Sequence, residues 1–169
     1  QDLHPLVAET LSLLRATLPA GVALDHSPPE EPVLAVVNAD QLHQMLMNLC
    51  INGWHALNGQ VGRVTISLRN VDLDKRAASR LGKLPPGRYA QLTVSDTGCG
   101  MDEATRSRVF EPFFTTKPVG QGTGLGLAVV HGIVAAHRGA ISVRSKSGRG
   151  SSFTVHLPAT EPEGLPQAP

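Results

Sequence analysis

The sequence predicts a one-domain α/β (α+β) protein built as a two-layer sandwich, and three observations predict it. Two long stretches, 38–57 and 125–137, repeat apolar residues at helical spacing. Two others, around Val64, Ile66 and Leu68 and around Leu92 and Val94, alternate apolar with polar residues as half-buried strands do. Strands and helices interleave along 169 residues, and helices able to cover one face of one sheet make two layers.

Leu3, Val7, Leu11, Leu14 and Leu18 form the first element, an amphipathic helix within 1–20 that stops before Pro19-Ala20-Gly21. Short β-rich runs follow at 21–25 and 33–37, parted by the Pro28-Pro29 turn. Asn38 or Asp40 caps the long helix, which reaches Leu57 and is closed by Asn58-Gly59. Between the two alternating strands, 72–87 is charged and bears Pro and Gly, which marks a surface excursion. A short helix over 102–110 precedes a Gly-rich stretch, and Gly139 closes the helix that follows. Runs at 141–144 and 152–157 flank Ser147-Gly148-Arg149-Gly150, a hairpin connection. The domain is expected to span 1–158, with a Pro-rich linker or tail over 159–169.

With 41% hydrophobic and 17% charged residues the chain is globular rather than disordered. A formal net charge of +1 leaves no broad footprint for nucleic acid or an anionic membrane. Aromatics at 4% argue against base stacking on single strands. No apolar run approaches the roughly 20 residues that span a bilayer, and Gln1-Asp2-Leu3-His4 lacks the basic start of a secretory leader. Cys50 and Cys99 lie in unlike contexts without metal spacing, so two free thiols in a reducing compartment are expected, which is a cytoplasmic setting.

Three constellations bear chemistry. On the long helix, at about 100° per residue, Leu42, Met45, Leu46, Leu49, Gly53 and Ala56 share an apolar face, and Asn48, Asn52 and His55 form a second stripe. Amides placed so supply oxygen ligands to a hard cation or bonds to phosphate; the stripe also suits a polar seam bonded to a neighbouring loop. After a strand, Asp96-Thr97-Gly98-Cys99-Gly100 aims a carboxylate into a cavity floor, where it would accept from an exocyclic amine and favour adenine over guanine. A turn in which Asp96 bonds its own backbone fits equally. Finally, Gly120-Gln121-Gly122-Thr123-Gly124-Leu125-Gly126-Leu127 runs into a helix, leaving bare N–H groups suited to a polyphosphate, or simply a loose loop before a helix start. Upstream, Phe110-Glu111-Pro112-Phe113-Phe114-Thr115-Thr116-Lys117 pairs an apolar hinge with a cation, the root and phosphate contact of a lid.

In this order, the segments resemble the ATP-binding catalytic domain of sensor histidine kinases, within the Bergerat-fold group that also holds gyrase-type topoisomerases, mismatch-repair ATPases and large heat-shock chaperones. The stretch from Asn48 to Gly53 resembles the N box, Asp96 to Gly100 the first glycine box, Phe110 to Phe114 the F box, and Gly122 to Leu127 the second glycine box. The likeness covers the chain to Pro158, and the form from Glu111 to Lys117 looks most like the nitrogen-sensor and hybrid-kinase branches. It implies a mixed, mostly antiparallel sheet covered on one face by helices, with an ATP lid over 112–124. It also implies roles. Asn52 holds magnesium, and Asn48, standing where hydrolysing relatives carry a glutamate base, orients groups near the γ-phosphate. His55 takes the place of a basic phosphate contact. Asp96 binds the adenine amine, supported by Gly98, Gly100 and the Ser151 hydroxyl. Gly122, Thr123, Gly124, Leu125, Gly126 and Leu127 wrap the phosphates, and Lys117 reaches the γ-phosphate.

The family's acceptor histidine is followed by Asp or Glu, and none of His4, His26, His43, His55, His131, His137 and His156 is. The resemblance therefore implies that the histidine phosphoacceptor and dimerisation domain is separate, that this domain is a monomer that does not label itself, and that a response-regulator receiver lies downstream. The parent protein is soluble or membrane-anchored. Other functions compatible with the fold are an ATP-hydrolysing conformational machine, a domain that binds nucleotide or a second messenger only to regulate, and a serine kinase of the anti-sigma-factor type. Gly53 stands where the N box has Ala, at a helix cost of up to about 1 kcal/mol.

Overall fold

The computed structural model describes residues 1–82, 84–120 and 122–161. The expected tail therefore lies largely outside the described residues. Its first two residues are tied down: the Ala159 N–H donates to Arg88 O (3.0 Å) and the Thr160 N–H to Leu34 O (2.9 Å), so hydrogen bonding runs past the expected boundary at 158.

Helix α1 (Leu3–Thr17) starts at Asp2, whose side chain accepts from the His4 N–H, and buries Leu3, Val7, Leu11 and Leu14. Strand β1 (Val22–His26) follows. The run 33–37, expected as a strand, makes only isolated bridges, Leu34 to Asp2 and Ala35 to Ala159. It is held between two other short segments instead of joining the sheet. Helix α2 (Ala39–Ala56) is capped by Asn38 rather than Asp40, since the Asn38 side chain accepts from the Gln41 N–H at 3.0 Å. Strand β2 (Gly62–Leu73) and strand β3 (Gly87–Asp96) are longer than the alternation suggested, and the excursion between them contains helix α3 (Lys75–Arg80). Helix α4 (Glu103–Arg108), helix α5 (Gly126–Ala136), strand β4 (Ala140–Ser145) and strand β5 (Ser151–Pro158) complete the chain.

The sheet order is β1-β2-β3-β5-β4; β1 pairs with β2 in parallel and every other pair is antiparallel. The mixed, mostly antiparallel two-layer sandwich is thus borne out. Strand period decides which face is covered. Val64, Ile66 and Leu68 of β2, Leu92 and Val94 of β3, and Phe153, Val155 and Leu157 of β5 point into the core, against α1, α2 and α5. On the opposite face Thr93 pairs with Thr154 and Ser95 with Ser152, hydroxyl to hydroxyl. Each large apolar side chain buried in the core contributes about 1.5–3 kcal/mol. That packing fixes α2 over the sheet, and the α2 register decides where its polar stripe falls.

Candidate functional site

Leu42, Met45, Leu46, Leu49 and Gly53 turn α2 onto the sheet. Asn48, Asn52 and His55 are then left along the side of α2 that faces α5 and the 112–124 loop, on the wall of a cleft of about 340 Å³. That volume suits a small-molecule ligand. The Asn48 Nδ2 donates to Gly126 O (3.4 Å), and its Oδ1 has no hydrogen-bond partner among the described residues. Among the described residues the Asn52 amide has no hydrogen-bond partner. The stripe faces a glycine loop, so at Asn48 the seam reading and the ligand reading describe one arrangement.

The end of β3 carries Asp96 into the floor, 8% exposed. Its Oδ1 accepts from the Gly98 N–H at 2.9 Å. Burial raises the Asp96 carboxyl above the ordinary aspartate range, opposed by the N–H groups of Gly98 and Ser151. Gly53 of α2 packs directly over this aspartate: a Cβ there would lie 3.3 Å from the Asp96 Cβ.

The glycines divide by task. Gly100 has φ +66°, and a Cβ on it would sit 2.0 Å from Lys146 O, so the loop needs glycine to meet the β4–β5 turn. Gly98 has its space filled by Ala56 of α2, so it serves packing rather than lining the cleft. Gly124 (φ +68°) meets the Phe113 backbone, and the Phe113 N–H donates to Gly124 O at 2.9 Å, which ties the two ends of the 112–124 loop.

Three phenylalanines root that loop differently. Phe110 packs edge-on against Phe153 of the core at 6.2 Å, and Phe114 lies under the Arg108 guanidinium at 4.5 Å. Phe113 is 74% exposed at φ +64° and is not an apolar anchor. From this base Lys117 returns to the cleft, and its Nζ lies 2.6 Å from the Nδ1 of His55. Burial, then the neighbouring ammonium, lowers the His55 value, and burial lowers that of Lys117. The lowered value favours the neutral imidazole, which can accept from the Lys117 ammonium at Nδ1.

Of the expected residues, Asn48, Asn52, His55, Gly100, Lys117, Gly122, Thr123, Gly124, Gly126, Leu127 and Ser151 line this one cleft. Asp96 lies just beneath it, while Gly98 and Leu125 are not part of the wall. Leu125 is the residue before α5, where no side chain caps the helix, so the first N–H groups of α5 have no side-chain acceptor. Ile51, Cys99 and Met101, which sit in or beside the motifs but were assigned no role, also line the cleft. Ile51 was findable, since it is three residues from Asn48 on the same helix.

A family model described as "Histidine kinase-, DNA gyrase B-, and HSP90-like ATPase" matches residues 37–161. The chain belongs to this ATPase family. The sensor kinase CckA of Brucella abortus (strain 2308), another similar protein, is 36% identical over 159 residues; the match covers 93% of this chain but only 16% of that kinase. The chain thus spans about a sixth of the length of that relative. The mycobacterial sensor histidine kinase MprB superposes with a TM-score of 0.73 over 94% of this chain and 95% of that one, at 24% identity, a likeness of fold alone. The crystal structure of full-length ShkA in complex with AMPPNP aligns with a TM-score of 0.68 and 28% identity, covering 94% of this chain and 30% of that one. Family membership makes this a nucleotide-binding domain of the histidine-kinase type. No helix among the described residues is long and apolar enough to cross a membrane.

Proposed function

We propose that this domain, residues 1–158 with their extension to Thr160, holds ATP with magnesium in the cleft and passes the γ-phosphoryl group to a histidine on a separate phosphoacceptor domain. One observation carries the reading: among the described residues the cleft wall contains no Asp or Glu, and Asn48, which by resemblance matches the base position of hydrolysing relatives, offers only an amide there. An amide cannot accept a proton from water, so the phosphate end is built for positioning and charge neutralisation rather than rapid hydrolysis.

At the base end Asp96 accepts from the exocyclic amine of adenine, beside Ser151. At the phosphate end, Lys117 and His55 meet the β- and γ-phosphates, and the glycine loop with the uncapped start of α5 supplies N–H groups. The unpartnered Asn52 amide fits magnesium, which takes one or two protein oxygens and completes its shell with phosphate and water. Held by Asn52, the cation would supply charge neutralisation to the phosphates. The Pγ–O bond to ADP breaks with its electrons leaving on ADP, the P–N bond to the incoming imidazole forms, and the imidazole releases its N–H proton. The acceptor domain and a downstream response-regulator receiver are the partners of this chemistry, in a cytoplasmic compartment, with this domain acting as a monomer. Titration calorimetry with a non-hydrolysable ATP analogue, with and without magnesium, tests the binding half. Magnesium-dependent binding supports the reading, and no binding by the unsubstituted domain overturns it.

A further inference from the structure

Ser145 ends β4 and lies outside the cleft wall, yet its hydroxyl joins three parts of the base pocket. It accepts from the Met101 N–H at 2.8 Å, lies 3.2 Å from Gly150 O, and lies 2.8 Å from the Ser151 Oγ. The surroundings are backbone against backbone. The Gly148 N–H donates to Cys99 O at 2.6 Å. A Cβ on Gly150 would sit 2.0 Å from Asp96 O. The β4–β5 turn and the first glycine loop are therefore one packed unit, with Ser145 as its side-chain joint.

A serine hydroxyl has one proton and two acceptor sites. A carbonyl oxygen can only accept, and the Ser145 hydroxyl faces Gly150 O at 3.2 Å, which also takes the Lys146 N–H at 3.5 Å. With the Ser145 proton on Gly150 O and the Met101 N–H on one Ser145 lone pair, the Ser151 hydroxyl donates its own proton to the other. Ser151 is 8% exposed and is the cross-strand partner of Asp96 in the β3–β5 register. With its proton committed to Ser145, it turns oxygen lone pairs to the cleft beside the Asp96 carboxylate.

We propose that Ser145 is a positioning residue for base selectivity, forcing the Ser151 hydroxyl to present an acceptor and not a donor to the bound base. The inference rests on the ATP reading of the cleft and adds a determinant to it. Two adjacent acceptors match the exocyclic amine of adenine. They oppose the carbonyl that guanine carries at the same edge. Without the Ser145 hydroxyl, Ser151 is free to rotate and donate, and the opposition to guanine weakens.

The test compares the unsubstituted domain with Ser145→Ala and Ser145→Thr. Non-hydrolysable ATP and GTP analogues are titrated with magnesium, and amide hydrogen exchange is followed at Met101. Ser145→Ala is expected to narrow the adenine-over-guanine preference on the order of tenfold, the scale of one buried hydrogen bond. The Met101 amide then exchanges faster while the core helices keep their protection, and Ser145→Thr, which keeps the hydroxyl, restores both. An unchanged preference in Ser145→Ala overturns the inference. So does an equal loss of both nucleotides with exchange rising throughout the chain, which marks bulk support only. If the unsubstituted domain binds neither analogue, the reading of the cleft itself fails, a result distinct from either.

Discussion

Replacing Asp96 by Asn removes one charge and few atoms from a buried polar position just beneath the cleft. Asp96 is 8% exposed and its Oδ1 is engaged by the Gly98 N–H, so its remaining lone pairs are what a base amine meets. A hydrogen bond to a charged partner in such a place contributes about 1.5–3 kcal/mol. At about 1.4 kcal/mol per factor of ten, ATP binding should weaken between about 10-fold and 150-fold. The upper part of that range is expected, because one side of the new amide is an NH₂ that meets either the Gly98 N–H or the base amine donor to donor. Folding should barely change: burial already raises the carboxyl, so the lost charge was costly to hold. Calorimetric titration of Asp96→Asn against the unsubstituted domain, with thermal melts alongside, reads both quantities. An affinity within twofold of the original, in a folded variant, would refute the placement of the base over Asp96.

Other expectations follow from the same geometry. Asn52→Ala should remove most of the magnesium dependence of analogue binding while leaving magnesium-free binding within about threefold, since only one protein oxygen is lost; calorimetry with and without the metal reads it. Gly100→Ala forces a side chain to φ +66° and against Lys146 O. A strained backbone of that kind costs about 1–3 kcal/mol before the clash is counted, so melting should fall by several degrees and binding should weaken with it. For pH, adenosine isolates the base end from His55 and Lys117. Binding needs the carboxylate, and the Asp96 value is raised, so adenosine affinity should decline on acidification from a higher pH than an ordinary aspartate would give. Asp96→Asn should abolish that slope in the same titration.

The spacing of Asn48, Asn52 and His55 placed all three on one wall of the cleft, because a helix has a fixed period and its apolar residues decide which way it faces. The glycine loops were readable for a similar reason: Gly100 and Gly124 occupy backbone conformations that other residues adopt at a cost. Strand ends were read short. Beyond Leu68 the alternation breaks at Asn70, a polar residue at an inward position, and before Ala90 it breaks at Tyr89, where two consecutive residues are buried. The run 33–37 has strand composition, but the segments it meets are Gln1–Leu3 and Ala159–Thr160, and sequence pattern does not reveal partners so distant along the chain. The same blindness hid Met101 and Ser145, which meet across 44 positions of sequence. Phe113 was read with its neighbours as apolar root, whereas its position in a closed loop turns it outward.

The proposed reaction is transfer without rapid hydrolysis. Its most direct test incubates this domain with magnesium and ATP labelled at the γ-phosphate, beside the histidine-bearing phosphoacceptor domain of a sensor kinase. Acid-labile label is expected on the acceptor domain, with none on this chain and little free phosphate. Steady release of labelled phosphate with the acceptor left unlabelled would contradict it and make the domain a hydrolase.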